Sequence, residues 1–170
     1  MDIHRAVLED CSAIARAQVR SWQAAYEDLL PTDFLATLSV DKREAMWREF
    51  IARGSTELLV ARDGDSIVGF VAFGRCRDED AVASRAEIWA IYVMPSHWSQ
   101  GIGSGLWRHA RGRLQEQGYE SVSLWVLVGN ARAVHFYEEN GFRVEESSLK
   151  EVVIGGSTLQ EVRYANQLRD

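Results

Sequence analysis

Residues 86–106 read AEIWAIYVMPSHWSQGIGSGL. The beginning of this stretch, residues 86–93, has more apolar side chains than a strand with one solvated face would carry, and it predicts a central strand. The glycine-rich turn at residues 100–105 leads into a helix predicted over residues 104–117. Glycine lets a ligand approach the backbone closely, and the N–H groups at a helix start attract anions. The segment therefore indicates a site for a phosphate-bearing molecule, although such turns also exist simply to reverse the chain.

Two common phosphate-binding loops do not fit this turn. A Walker loop ends in Gly-Lys-Ser/Thr, and the turn has no such ending. The dinucleotide-binding fingerprint needs a third glycine at its sixth position, where counting from Gly101 gives Leu106. That fingerprint also follows its strand directly, whereas seven residues separate Val93 from Gly101. Neither loop accounts for the turn.

The rest of the chain surrounds this segment with alternating strand and helix patterns. The predicted order is βααα-ββ-β-α-β-α-ββ, with one helix capped by Asp41 and ended by Gly54 and with hairpins at Gly64 and Gly155. Strands followed by helices require some parallel pairing, whereas hairpins require antiparallel pairing. We therefore predict a mixed α/β sheet in a single domain spanning residues 1–170.

Composition argues against several classes of function. The formal net charge is −6 and no cluster of five or more Lys or Arg occurs, so the basic stripe of a nucleic-acid binder is missing. Cys11 and Cys76 stand apart without a CxxC motif, so neither a disulfide framework nor a metal site is expected. The sequence shows no signal-peptide pattern and no apolar run near the ~20 residues of a membrane span. We predict a cytoplasmic protein without metal, nucleic-acid or membrane partners.

A second motif lies downstream, at residues 124–142, which read LWVLVGNARAVHFYEENGF. Together with the glycine turn, in this order and spacing, it resembles the acetyl-CoA-binding half of the GNAT superfamily of N-acetyltransferases. That superfamily carries Gln/Arg-x-x-Gly-x-Gly/Ala ahead of a helix, and residues 98–103 match this pattern except that Trp98 replaces the Gln or Arg. The resemblance covers about a third of the chain closely.

The resemblance implies both a fold and an activity. The fold is a mixed sheet of six to seven strands, splayed where the cofactor enters, with helices on both faces. Residues 1–84 would form the acceptor-side half, residues 85–145 the acetyl-CoA-binding half and residues 146–170 the last strands. The implied reaction is direct transfer of an acetyl group from acetyl-CoA to a primary amine of a small molecule or a protein N-terminus, without a metal. A non-catalytic acyl-CoA-binding sensor or interaction module is the alternative, and homodimerisation stays open.

The resemblance also implies a set of cofactor contacts. The strand backbone at Ile91 and Val93 would pair with the pantetheine arm as an added strand does. Asn130 would bond to the same arm, although a helix cap alone explains this residue nearly as well. The pyrophosphate would lie on the glycine turn and the helix start, formed by Gln100, Gly101, Ile102, Gly103, Ser104 and Gly105.

Two residues are candidates for the chemistry. Tyr137 corresponds to a tyrosine that protonates the departing thiolate, and a phenol suits this task because it is a neutral donor at pH 7 with a pKa near ~10. A tyrosine packed in the core is the alternative. Glu87 corresponds to a glutamate that serves some members as general base through water, and a position at an exposed strand end is equally compatible with the sequence.

The acceptor pocket is assigned to the first helix, where members of the superfamily commonly build it. Trp22 and Tyr26 are one turn apart and could line the pocket, and Glu27 or Asp28 would attract an ammonium group. A helix packed through its aromatic residues, with solvated acids at its end, is the alternative. The sequence does not name the acceptor amine.

Overall fold

The computed structural model of the chain describes residues 1–54 and 56–169. Over these residues eight strands form one sheet and five α-helices flank it, and no helix has the length and apolarity needed to cross a membrane. The strands are β1 (Asp2–Arg5), β2 (Glu57–Asp63), β3 (Ser66–Arg75), β4 (Arg85–Val93), β5 (Ser121–Leu127), β6 (Arg143–Val144), β7 (Lys150–Ile154) and β8 (Ser157–Gln167). The helices are α1 (Cys11–Ala25), α2 (Thr32–Ala36), α3 (Val40–Arg53), α4 (Ile102–Glu116) and α5 (Ala131–Glu139).

The sheet runs in the order β1-β2-β3-β4-β5-β8-β6, and β7 pairs with β8. Neighbouring strands are antiparallel except β4 and β5, whose parallel pairing ends where Glu87 lies opposite Ser123. Both strands continue past this point without pairing to each other, so the sheet splays apart there. The predicted splayed, mixed sheet is confirmed. The short β6 raises the number of strands above the six to seven predicted, because two residues carry no readable periodicity.

Helices cover both faces of the sheet, as predicted, because successive side chains of a strand point to opposite faces. On β3, Phe70 and Ala72 belong to a buried cluster with Ile14 of α1 and Trp47 of α3. The alternate residues of the same strand, with Val71 among them, belong to a second cluster that includes the buried side chains of α4. The two-sided burial explains why the central strands are apolar almost throughout.

The start of α3 differs from the prediction. The hydroxyl of Ser39 accepts a hydrogen bond from the N–H of Lys42 (3.2 Å), which makes Ser39 the N-cap of this helix. Asp41 lies inside the first turn instead, where an acidic side chain is favourable near the positive end of the helix dipole. At the other end Gly54 has a φ of +64°, the left-handed conformation that ends helices, as predicted.

Candidate active site

The gap between β4 and β5 opens into a cavity of ≈ 840 Å³. Its walls include the part of β4 from Ile88 to Val93, the part of β5 from Leu124 to Val126 and the first turns of α5. The start of α4 and the end of α1, with Tyr26, complete the lining. The splay of the sheet therefore brings the glycine turn, the downstream motif and the first helix to one space.

The glycine turn presents unbonded backbone N–H groups to this cavity. Gly101 caps α4 with a φ of +79°, a conformation that disfavours any side chain. Ile102, Gly103 and Ser104 form the first turn of the helix, so their N–H groups have no acceptor within it. All four residues line the cavity. The arrangement fits an anion such as a diphosphate.

Two residues predicted to join this group lie elsewhere. The N–H of Gly105 donates to the backbone oxygen of Gly101 (2.9 Å), so it is already used inside the helix. A Cβ on Gly105 would meet the side chains of Met1 and Ile3 at 3.1 and 3.2 Å, so this glycine serves the packing of α4 on β1. The side chain of Gln100 is exposed and donates to the backbone oxygen of Ser96 (3.2 Å). Neither residue lines the cavity, and their assignment as cofactor contacts stays a prediction.

The edge of β4 offers backbone groups to the cavity at Ile91 and Val93. The N–H of Met94 bonds to Val68 on the β3 side, and because strand residues alternate, Ile91 and Val93 direct their polar backbone groups away from β3. The carbonyl of Val93 already accepts hydrogen bonds from Ser21 Oγ (2.9 Å) and from the indole of Trp98 (2.8 Å). Both groups of Ile91 and the N–H of Val93 are therefore the ones suited to pair with an extended ligand.

Asn130 and Tyr137 line the same cavity from α5. Asn130 is the N-cap, and its side-chain oxygen accepts a hydrogen bond from the N–H of Ala133 (3.3 Å). Because this cap uses only the oxygen, the side-chain NH2 group is left to donate hydrogen bonds to a ligand. The ring of Tyr137 packs edge-on against Phe142, with centroids 5.7 Å apart. Tyr137 follows Asn130 by seven positions, close to two helical turns, so both side chains project along one side of the helix.

Burial raises the pKa of the Tyr137 phenol above its ordinary value. The phenol therefore stays protonated throughout the physiological range. A protonated phenol can donate a hydrogen bond, which is the property that the predicted role of Tyr137 requires, and that role stays a prediction.

Glu87 is 3% exposed and lies outside the cavity lining. Its carboxylate accepts hydrogen bonds from Arg77 at the backbone N–H (3.0 Å), Nε (3.1 Å) and Nη2 (2.7 Å). A buried carboxylate needs such compensation, and Arg77 supplies it from a side chain that is itself partly exposed. These contacts favour a structural role, and the sequence-based assignment as general base stays a prediction.

The predicted acceptor residues divide into two pairs. Tyr26 lines the cavity, and Trp22 packs edge-on against its ring with centroids 5.1 Å apart. Glu27 and Asp28 follow the end of α1, are exposed and lie outside the lining. The aromatic pair therefore shapes the cavity or supports its wall, whereas the acids lie on the surface near its α1 side.

Several aromatic residues of the lining were assigned no role from the sequence. They are Trp89, Tyr92, Trp98, Trp125 and Phe136. An aromatic side chain in an apolar strand has the same pattern whether it packs in the core or lines a cavity. The position at which β4 and β5 diverge decides whether such a residue is in the core or on the cavity wall, and this divergence is a tertiary feature that the sequence pattern does not reveal.

The described residues, 1–54 and 56–169, also contain no group of three or more His, Cys, Asp or Glu arranged to hold a metal ion.

Comparison with known proteins agrees with this geometry. The family model for GNAT acetyltransferases matches residues 19–142, which is more than half of the chain. The chain therefore belongs to the GNAT acetyltransferase family and is an acyltransferase. The uncharacterized N-acetyltransferase YuaI of Bacillus subtilis is 30% identical over 95% of both chains. A spermidine N(1)-acetyltransferase of Thermoplasma acidophilum is 23% identical over 96% of this chain and 98% of its own.

Solved structures share the fold. The PaiA N-acetyltransferase of Thermoplasma acidophilum, solved with coenzyme A, superposes with a TM-score of 0.80 at 20% identity and covers 98% of both chains. The protein yncA of Salmonella typhimurium, solved with acetyl-CoA, superposes with a TM-score of 0.76 at 23% identity and covers 100% of this chain and 95% of its own. The predicted family, fold class and enzyme class are thus confirmed.

Proposed function

We propose that this N-acetyltransferase moves an acetyl group from acetyl-CoA to the primary amine of a small molecule by direct attack, without a metal. The observation that carries the proposal is that the start of α4 and Tyr137 line one cavity at the splay of the sheet. The relatives solved with coenzyme A or acetyl-CoA support the co-substrate, and the spermidine acetyltransferase supports a small amine as acceptor.

Different residues of the cavity bind different parts of the co-substrate. The N–H groups of Ile102, Gly103 and Ser104 bind the diphosphate at the positive end of α4. The free edge of β4 at Ile91 and the side-chain amide of Asn130 bind the amide-rich pantetheine arm. When bound, acetyl-CoA supplies a thioester whose carbonyl carbon accepts an amine.

Tyr137 acts at the sulfur. Its phenol is protonated and held by packing against Phe142, so it donates a hydrogen bond to the thiolate as charge develops there. A backbone N–H on the free edge of β4 polarises the carbonyl oxygen. The amine forms the new C–N bond as the C–S bond breaks, so no covalent enzyme intermediate is needed, and the proton that the amine loses passes to solvent.

The acceptor enters beside α1 and the aromatic wall. Tyr26 and Tyr92 supply hydroxyl groups on the wall. Asp78 accepts a hydrogen bond from the indole of Trp125, but Arg163 pairs with Asp78 at 3.1 Å and compensates its charge. Glu27 and Asp28 are exposed just after the end of α1, outside the lining, and we propose that their charge attracts a cationic acceptor toward this side of the cavity.

We further propose that the enzyme works in the cytoplasm, where acetyl-CoA is available as a co-substrate. The division into an acceptor-side half, a cofactor half and C-terminal strands stays a prediction, and so does a homodimer. Sedimentation of the purified protein tests the second of these.

The experiment combines binding with turnover. Calorimetry on EDTA-treated protein should show acetyl-CoA binding at micromolar concentration. An amine library of polyamines, amino acids and short peptides, assayed by the thiol released from acetyl-CoA, should then identify the acceptor. Binding without thiol release from any amine would favour the alternative, a non-catalytic acyl-CoA sensor. No binding of acetyl-CoA would overturn the co-substrate.

A further inference from the structure

The glycine turn of this chain lacks one polar side chain that the family pattern carries. Trp98 occupies the position of the usual Gln or Arg. Its indole N–H donates to the carbonyl of Val93 (2.8 Å), which fixes the orientation of the ring. The ring cannot contact a phosphate as a Gln or Arg would, so this turn by itself offers an anion its backbone N–H groups and the hydroxyl of Ser104 but no charged side chain.

A cation from the neighbouring helix lies on that ring. The guanidinium of Arg132 stacks over Trp98 with its central carbon 4.3 Å from the ring centroid. Arg132 is the second residue of α5, and both residues line the cavity together with Gly101 and Gly103. The side chain therefore adds a positive charge to the space beside the amide groups that begin α4.

Arg132 is exposed, and near the start of α5 its charge meets a small unfavourable contribution from the helix dipole in the absence of an anion. A cation in the first turn of a helix opposes the positive end of the helix dipole. Within residues 1–54 and 56–169 no carboxylate forms an ion pair with Arg132, and Glu139 of the same helix contacts His135 instead (3.2 Å). An anion bound in the cavity would compensate the charge.

Stacking also leaves the donors of Arg132 available. A guanidinium binds an aromatic face through its own face, so its N–H groups still point outward in its plane. A planar set of donors matches the oxygens of a phosphate in a bidentate contact. The ring of Trp98 therefore holds the guanidinium of Arg132 at the edge of the cavity and leaves its N–H groups available to a ligand.

We propose that Arg132, held on Trp98, binds a phosphate group of coenzyme A from the α5 side and replaces the contact that the turn has lost. The proposal rests on the proposed use of acetyl-CoA. The diphosphate and the 3′-phosphate present the same chemistry, and the experiment distinguishes them.

The test measures the dissociation constants of coenzyme A and of 3′-dephospho-coenzyme A by calorimetry at two salt concentrations. Arg132→Gln removes the charge, and Arg108→Gln is the matched control, because Arg108 is exposed on α4 outside the cavity. We expect Arg132→Gln to weaken coenzyme A binding about tenfold or more and to flatten its salt dependence, with Arg108→Gln close to wild type. Arg132→Lys should recover part of the affinity, because it keeps the charge without the planar fork.

The response of the shortened ligand identifies the phosphate. An equal loss for dephospho-coenzyme A assigns Arg132 to the diphosphate, and no loss assigns it to the 3′-phosphate. Binding of coenzyme A by Arg132→Gln within twofold of wild type would overturn the proposal while leaving the proposed function intact. Equal weakening by the Arg108 control would overturn it as well, because the effect would then be one of net charge. Wild-type protein that binds neither ligand would instead refute the proposed function.

Discussion

The hydroxyl of Tyr26 lies 3.4 Å from the hydroxyl of Tyr92 on the wall of the cavity. Tyr26 follows the last turn of α1, and Tyr92 is near the end of β4, so the contact joins the acceptor-side helix to the central strand. Burial raises the pKa of both phenols. Both groups therefore remain protonated and act through hydrogen bonds.

The first prediction concerns acceptor binding. Tyr26→Phe removes the hydroxyl and keeps the ring that Trp22 packs against. We expect the KM of the amine to rise about fivefold, the effect of one neutral hydrogen bond, with the Kd of coenzyme A unchanged. Steady-state kinetics and calorimetry measure the two constants. A change confined to the Kd of coenzyme A would place Tyr26 on the cofactor side instead.

The second prediction concerns Tyr137. Tyr137→Phe should lower kcat by about 10²-fold while leaving the Kd of coenzyme A unchanged, because only the donor at the sulfur is lost. Tyr119→Phe is the matched control, since Tyr119 packs against the core outside the cavity. Wild-type kcat in the Tyr137 variant, under conditions where acetyl transfer limits turnover, would remove this residue from the mechanism.

The third prediction is a pH profile. The protonated phenol of Tyr137 is the active form, so its contribution is present below its pKa and is lost as the pH rises through it. Burial raises this pKa above the ordinary value of 10.0, so the loss falls above that pH. The wild-type kcat/KM should therefore rise as the amine deprotonates and show no falling limb up to about pH 10. A falling limb near pH 9 that disappears in Tyr137→Phe would contradict this reasoning.

The fourth prediction concerns the ion pair of Glu87 and Arg77. Glu87→Gln should lower the free energy of unfolding by about 1–3 kcal/mol, because a buried charged hydrogen-bond network is lost, while kcat changes less than threefold. Arg77→Met should destabilise comparably, since it leaves the carboxylate buried without its partner. Urea unfolding and kcat are measured on both variants. A large loss of kcat at unchanged stability in Glu87→Gln would instead support the general-base role that the sequence predicts.

Sequence patterns predicted the elements of the fold because each pattern has a local cause. Two-sided burial gives β4 its apolar run, and the Asn130 cap and the φ of +89° at Gly141 mark the two ends of α5. The two family motifs also identified the glycine turn and Tyr137, which line the same cavity in the structure. These features depend on residues within a few positions of each other.

The features of the site that the sequence could not show depend on tertiary contacts. Gly105 belongs to the same motif as Gly101 but packs against β1, and only the register of α4 on the sheet decides this. The surroundings of Glu87 depend on Arg77, which lies in the loop between β3 and β4 and folds back to bind the carboxylate. The stacking of the Arg132 guanidinium on Trp98 joins α5 to the residues before α4, and no local sequence pattern predicts such a contact. In each case the deciding partner comes from another element.

The fifth prediction concerns Gly103, at which the structure shows a second reason why a side chain would weaken cofactor binding. From the sequence, a side chain at Gly103 would weaken cofactor binding by keeping the ligand away from the backbone. In the structure a Cβ there would meet the ring of Phe136 at 3.0 Å, so the added side chain would also push against this ring, which lines the cavity from α5. The two causes separate in a double-mutant cycle of Gly103→Ala and Phe136→Leu.

Phe136→Leu removes the ring that the added methyl group would meet. We expect Gly103→Ala alone to raise the Kd of coenzyme A by about fivefold to tenfold, in line with the cost of overpacking a tight contact. In the Phe136→Leu background the same substitution should cost less than twofold, because the ring that the methyl group meets is then absent. Calorimetry on the four proteins gives the coupling directly. If Gly103→Ala costs the same factor in both backgrounds, the methyl group acts on the ligand itself and Phe136 has no part in the effect.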